Sequence, residues 1–388
     1  MRRRVLIAVP AVLMLGVPLA GSATAASTQG ATHRNSHVCG APAAGAAGCD
    51  AIRHDAVDRN GNVTANLTPS GYGPADIRSA YALGAASSGG RTVAIVDAYN
   101  DPNAEADLGV YRSTFGLPTC TTANGCFRKV DQSGGTSYPR SNGGWAQEIS
   151  LDLDMVSAAC PDCKILLVEA SSASFANLGA GVNTAARLGA TAISNSYGGS
   201  DSAQSSAYDH PGIAVTASTG DSGYGVQSPA SYGTVVAVGG TSLTKSSTTR
   251  GWSEAAWSGA GSGCSTINAK PSYQTSVTQC SGKANADVSA VADPNTGVAV
   301  YDSYAYQGAK GWLVFGGTSA SSPIVAGVYA LSGNTAGYPA AIAWSNPAGL
   351  NDVTTGSNGS CPTTVWCNAG TGWDGPTGLG TPNGTSAF

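Results

Sequence analysis

Charge is scarce in this chain. Asp, Glu, Lys and Arg make up 11% of its 388 residues, well below the roughly 25% of average soluble proteins. The net charge is only −4. Beyond Arg2-Arg3-Arg4 there is no run rich in Lys or Arg, which excludes the electrostatic footprint of a nucleic-acid-binding protein. No later stretch is long and apolar enough to span a membrane. Histidine is rare too: His33, His37, His54 and His210 are the whole supply. No internal repeat is visible. Cys160-Pro161-Asp162-Cys163 has no second Cys-x-x-Cys and no nearby His, which argues against zinc or redox chemistry and for a structural bridge.

Glycine, by contrast, is plentiful at 53 residues, and 42% of the chain is hydrophobic. A sizeable core with many tight turns is therefore possible. A pI near 5.5 at such low charge density leaves little self-repulsion in acid. The N-terminus carries a basic start, an apolar run from Val5 to Ala20 broken by Pro10 and Pro18, and a small-residue site at Ala23-Thr24-Ala25. That is the pattern of a secretory signal peptide over residues 1–25. The ten cysteines agree, since an even number in an exported chain reads as disulfides. They fall as near neighbours (Cys39/Cys49, Cys120/Cys126, Cys160/Cys163, Cys264/Cys280, Cys361/Cys367), which favours local pairing without fixing connectivity.

Residues 26–69 are rich in Ala, Gly, Asn and Ser with no sustained apolar period, and read as a short leader or flexible N-terminal arm. Residues 70–388 read as one large domain. A turn enters a helix at 73–81. Buried strands are expected at 91–97, 164–168, 190–194, 213–217 and 235–238, and helices at 146–159, 175–188 and from Ser319 to about Leu331. Short apolar strands separated by helices predict an α/β fold, three-layered, with a mostly parallel central sheet flanked by helices.

Four segments carry chemistry. In Gly316-Gly317-Thr318-Ser319-Ala320-Ser321-Ser322-Pro323, a glycine turn leads into an apolar helix opened by Ser319. Pro323 is read as lying in the first turn, where it is tolerated. A hydroxyl there sits among unpaired backbone N–H groups that favour negative charge, although Ser is also a common N-cap with no chemistry. A serine nucleophile needs a base. Glu148 and Asp152 lie four apart on an otherwise apolar helical segment, hence on one face. Two carboxyls so close cannot both ionise freely, so one pKa should rise and the pair should share a proton. Asp154, about 200° round from Asp152, should not join them. The bland alternative is a solvated acidic face. The third segment, Ala217-Ser218-Thr219-Gly220-Asp221-Ser222-Gly223, places Asp221 beyond the C-terminal end of a buried strand, where α/β proteins build sites; a turn Asp is the alternative. The fourth combines Asn351-Asp352-Val353 with Gly370-Thr371-Gly372-Trp373-Asp374, which on its own reads as a glycine-rich turn region.

Together these segments resemble the sedolisins, the serine-carboxyl peptidases of subtilisin-like fold. The resemblance covers roughly 70–388 and includes a stretch at 194–199 similar to the backbone that pairs with substrate. It implies that Ser319 is the nucleophile, Glu148 the general base and acid, Asp152 its proton-sharing partner, and Asp221 a protonated donor in the oxyanion hole beside the Ser319 N–H. It also implies one structural Ca²⁺ held by the side chains of Asp352 and Asp374 and the carbonyls of Val353, Gly370 and Gly372. Substrates would be peptides or proteins, cleaved in acid by a secreted monomer with no nucleic-acid or membrane partner. Asp97 resembles the subtilisin aspartate but is not catalytic in this reading. No His stands in the His-Gly-Thr context that a subtilisin-type base requires. Sedolisins usually carry a large N-terminal prodomain; the short 26–69 segment would then do a reduced job or none. The alternative from another class is a secreted binding module that keeps the fold without the activity.

Overall fold

The computed structural model describes residues 32–388, apart from 65, 85 and 335. The signal-peptide reading of 1–25 lies outside the described residues. The chain begins with strands Thr32–His37 (β1), Gly48–Cys49 (β2) and Ile52–Val57 (β3), then helix Pro74–Ala80 (α1). The α/β alternation follows: Thr92–Ala98 (β4), Ala104–Thr114 (α2), Phe127–Asp131 (β5), Gly143–Ala159 (α3), Lys164–Ala170 (β6) and Phe175–Arg187 (α4). Next come Ala192–Asn195 (β7), Tyr197–Ser200 (β8), Ala214–Ser218 (β9), Gln227–Ser228 (β10), Val236–Lys245 (β11) and Trp252–Ala256 (β12). Gly263–Ala269 (β13), Gly282–Asn285 (β14), Val288–Val291 (β15), Val298–Tyr306 (β16) and Ala309–Gly316 (β17) lead to helices Thr318–Ser332 (α5) and Pro339–Ser345 (α6). Leu350–Asn351 (β18) and Thr381–Pro382 (β19) pair near the C-terminus.

The main sheet runs β12-β11-β9-β7-β4-β6-β5, with β15 also on β11. Every pairing in it is parallel except β11 with β12. The expected architecture, a mostly parallel sheet covered by helices, is the observed one. Strand β4 displays the cause. Val93 and Ile95 join the core shared with Ile149 of α3 and Ile324 of α5, whereas Ala94 and Val96 join the opposite core with Val182 of α4. Strand side chains alternate faces, so an all-apolar strand must be covered on both sides. Helix α5 is buried from Thr318 to Leu331. A Cβ on its Gly327 would press within 3.0 Å of Ala159, so glycine there lets α5 approach α3 closely.

Two expectations need correction. Residues 32–69 are not a loose arm. Strand β3 pairs with β1 on one side and with β17 on the other, and β2 pairs with β8. Buried Arg53 fixes β3 through bonds to Asp55 (2.6 Å) and to Gln147 of α3 (2.8 Å). The local composition hides this order because the pairing partners lie far away in sequence. Pro323 also lies deeper than its reading, inside the helix rather than in its first turn. Proline has no N–H for the carbonyl four residues back, which here belongs to Ser319. That carbonyl instead faces the Ser196 hydroxyl at 3.3 Å.

All ten cysteines pair with their near neighbours: 39–49, 120–126, 160–163, 264–280 and 361–367.

Candidate active site

The site forms where α3, α5 and the loops after β7 and β9 meet. Gly317 supplies the bend before α5 with φ +91, a region that side chains with a Cβ rarely enter. The bend delivers Ser319 to the helix's first turn. Its Oγ donates toward Glu148 Oε2 at 2.9 Å and lies 3.2 Å from the Ser196 carbonyl. Asp152, one turn along α3 from Glu148, accepts from Ser196 Oγ at 2.8 Å. Asp221 accepts from the Thr318 N–H at 2.7 Å and from the Thr318 hydroxyl at 2.8 Å. The fold therefore brings Ser319, Glu148, Asp152 and Asp221 together. Asp154 points elsewhere and accepts from the Tyr301 N–H at 2.9 Å.

Electrostatically the site is one-sided. Glu148 and Asp152 are fully buried. Burial pushes both well above the usual carboxylate range; for Glu148 the charge of Asp152 adds to it, and the neighbouring Asp97 raises both. Burial lifts Asp221 well above that range too, with Asp50 adding to the effect. Glu148 Oε1, Asp152 Oδ2, Asp221 Oδ2 and both carboxyl oxygens of Asp97 have no hydrogen-bond partner among the described residues. No histidine hydrogen-bonds to Ser319 among those residues. His210 meets the Ala207 carbonyl at 3.0 Å, and His33 stacks on His54.

Sequence reasoning missed Asp50. It is 8% exposed and accepts from Ser218 Oγ at 2.6 Å and from Gln227 Nε2. Burial raises it to about 6. It lines an open cleft of about 490 Å³ together with His37, Gly198 to Ser200 and the loop from Thr219 to Gln227. The only available signal was the Cys49-Asp50 step beside a cysteine, which says nothing of a site. Asp97, set outside the catalytic set from sequence, is brought close enough to bias the carboxyl pair.

At the C-terminal end, burial pushes Asp374 up to about 7, and nearby Asp352 adds to the rise. Asp352 accepts from the Gly372 N–H at 2.9 Å, and Asp374 from the Gly370 N–H at 3.1 Å. Neither forms an ion pair with Lys or Arg among the described residues. No group of three or more His, Cys, Asp or Glu stands together as a metal site among those residues. Two carboxylates among glycine-rich backbone nevertheless form an all-oxygen set suited to a hard cation.

Fold and geometry together define a class: subtilisin-like α/β folds in which the serine faces a carboxyl pair rather than an imidazole. The Subtilase family profile matches residues 141–347, just over half the chain. Sedolisin from Pseudomonas sp. (strain 101) is 36% identical over 176 residues, covering 40% of this chain and 29% of that protein. Kumamolisin from Bacillus sp. (strain MN-32) is 29% identical over 365 residues, covering 82% of this chain and 63% of that protein. The solved structure of Pseudomonas sedolisin, a serine-carboxyl proteinase complexed with two molecules of pseudo-iodotyrostatin, superposes with a TM-score of 0.67 at 26% identity. It covers 81% of this chain and 96% of the solved one. The chain belongs to the subtilase family, in its sedolisin branch. It spans less than two thirds of the length of both the Pseudomonas and the Bacillus relative.

Proposed function

We propose that the chain is a secreted serine-carboxyl peptidase that hydrolyses peptide bonds of peptides and proteins in acid. The observation that carries this reading is the 2.9 Å hydrogen bond from Ser319 Oγ to Glu148 inside a buried carboxyl cluster. Ser319 attacks the peptide carbonyl carbon while Glu148 takes its hydroxyl proton. Asp152 shares the pair's remaining proton and holds Ser196 against the nucleophile. Glu148 then passes the proton to the leaving amine, and water hydrolyses the acyl-enzyme. Asp221, kept neutral by burial, donates a hydrogen bond to the oxyanion; an ionised carboxylate would repel it. As pH rises, Asp221 loses that proton and the cluster accumulates charge it cannot solvate. Activity therefore falls toward alkaline pH. The disulfides suit an oxidising, extracellular setting, and we read the enzyme as a monomer.

The same reading includes one structural Ca²⁺. The Asp352 and Asp374 carboxylates and the carbonyls of Val353, Gly370 and Gly372 would hold it. The ion would offset the mutual repulsion of the two acids and clamp the loop 374–380. That loop is sewn to the strands flanking α5 by the Leu379 N–H to the Asp287 carbonyl (2.9 Å) and the Ser289 N–H to the Gly380 carbonyl (3.0 Å).

The test is a pH profile of peptide hydrolysis beside Ser319→Ala and Glu148→Ala. Activity should peak in acid, fall by about 10⁴-fold or more in Ser319→Ala, and by about 10²–10⁴-fold in Glu148→Ala. A neutral optimum that survives Glu148→Ala would overturn the carboxylate mechanism. A folded protein with no hydrolysis at any pH would favour a binding module.

A further inference from the structure

The buried acids of the site do not end at Asp97. Along β4, Val93 and Ile95 join the core shared with α3, and Asp97, two residues further, lies on the same face. In the parallel register Asp97 stands opposite Glu169 of β6. Continuing the β4–β7 register brings Asp97 level with Ser196, whose hydroxyl holds Asp152 at 2.8 Å. The C-terminal edge of the sheet thus carries a row from Glu169 through Asp97 to the Asp152/Glu148 pair. A cation closes its outer end. Lys129 of β5 reaches Glu169 Oε1 at 2.9 Å; its side chain is 14% exposed, that of Glu169 not at all. The Asp101 N–H donates to the same oxygen at 2.8 Å. Glu169 Oε2 and both Asp97 oxygens have no partner among the described residues. The other charged or titratable groups around Glu169 are accounted for. Asp131 lies opposite it in register, but its carboxyl takes the N–H groups of Ser133, Gly135 and Ser137. Tyr138 carries Lys129 over its ring, 4.6 Å from the centroid. Burial lifts Asp101 to about 6, with Asp107 adding to the rise, and Asp302 stands close enough to Asp101 to be raised by it.

We propose that Glu169 and Lys129 are positioning residues: together they set the charge behind Asp97, and so the pH window in which the Glu148/Asp152 pair holds its one shared proton. The inference rests on the peptidase reading above and deepens it. In acid Glu169 is protonated, and Lys129 leaves one positive charge behind the row. That charge favours ionisation of the pair, so Glu148 can accept the Ser319 proton at a lower pH than it otherwise could. Burial pushes Glu169 up to about 7 against the pull of Lys129. Above that value, with Asp101 already ionised, Glu169 takes the next charge and offsets the cation. A carboxylate beside Asp97 then makes Asp97 and the pair hold their remaining protons more tightly. The singly protonated pair persists further toward alkaline pH. One ion pair widens the window at both ends.

The experiment follows kcat/KM against pH for the full chain, using a mixture of quenched-fluorescence peptides of varied sequence, in the wild type, Glu169→Gln, Lys129→Met and Lys129→Arg. Gln keeps the size of Glu169 and an acceptor for Lys129 and the Asp101 N–H. The acid limb of Glu169→Gln should coincide with that of the wild type. Its alkaline limb should lie about 0.5–1 pH unit lower, the effect of one charge roughly two strand spacings away at an effective dielectric constant of about 20–40. Lys129→Met should do the converse. Its acid limb should rise by a similar amount, while its alkaline limb stays near that of the wild type, because Glu169 without its cation remains protonated. Lys129→Arg should restore the acid limb. If Lys129→Met does not fold, the two limbs of Glu169→Gln decide alone. A role in structure only would lower the whole profile and move neither limb. That result, or limbs that move in the opposite directions, would overturn the inference and leave the peptidase reading standing. A folded wild type that hydrolyses none of the peptides at any pH would overturn both.

Discussion

Asp287 and Glu148 are both fully buried acids, yet they are treated in opposite ways. Asp287 accepts from Lys283 and the Ala237 N–H on one oxygen, and from Gln274 (3.0 Å) and Trp344 (2.9 Å) on the other. Glu148 accepts only from Ser319 at one oxygen, has nothing on the other, and shares its surroundings with Asp152 and Asp97. A buried charge is tolerated when a countercharge and a full set of donors surround it. The first network meets that condition and ties β14, β11 and α6 together. The second fails it, and the failure keeps protons on groups that would otherwise lose them. Satisfied burial builds the scaffold; unsatisfied burial beside the Ser319 hydroxyl makes, in the proposed reading, a proton acceptor.

Removing the cation from the satisfied network should have the largest effect on stability. Lys283→Met leaves Asp287 buried without a countercharge and should cost about 3–5 kcal/mol, read from urea unfolding. A loss below about 1 kcal/mol would erase the contrast. A third acidic site lies between the two extremes: Asp374 and Asp352 form no ion pair with Lys or Arg among the described residues, and in the proposed reading an ion would supply their countercharge. Chelation with EDTA should lower the melting temperature, and adding Ca²⁺ back at about a hundred times its dissociation constant should restore about 2.7 kcal/mol. Asp352→Asn should abolish that response. No response in the wild type would remove calcium from the account. The smallest effect has the opposite sign. Asp152→Asn should abolish most hydrolysis yet stabilise the fold by about 1 kcal/mol near neutrality, as relieving a strained functional group commonly does. Because the folded state holds the Asp152 proton more tightly than the unfolded chain, its penalty appears as pH rises above the ordinary carboxylate range. In acid, where both states are protonated, the penalty vanishes. The stabilisation by Asn should therefore shrink in acid. The wild type itself should lose stability on the way up through about 6 for Asp50 and about 7 for Glu169. Melting curves across that range read both.

The Glu148/Asp152 pair was legible because its spacing is local: four residues on an apolar helix fix a common face. Ser319 was legible because a glycine bend and a helix start lie side by side in sequence. The parallel sheet announced itself through 91–97, 164–168 and 213–217, short and largely apolar runs separated by helices. Asp50 was not legible, since its meaning comes from pairing with Tyr197–Ser200 and Ala309–Gly316, far along the chain. The β16–β17 hairpin escaped notice for a related reason. Its turn at Gln307-Gly308, both at positive φ, lacks the Asn-Gly or Asp-Gly signal that marks such turns. Pro323 was misplaced because the helix starts before Ser319, and helix starts read from sequence shift by a residue or two.

The disulfides have a consequence for survival in a protein-digesting environment. Cys120 and Cys126 are six apart, with their Cα atoms held at 4.8 Å; a chain of six residues laid out straight would span about 20 Å. Cys361 and Cys367, also six apart, are held at 6.0 Å, and Cys160 and Cys163 close a still shorter loop. Such staples do little to join distant parts of the molecule, and their effect on the unfolded chain is small because the loops are short. What they deny is reach. A peptide must lie straight across several subsites to be cut, and a loop cinched at both ends cannot be drawn out that far. In the proposed reading, the turns at 120–126 and 361–367 are thereby made poor substrates for neighbouring copies of the same chain.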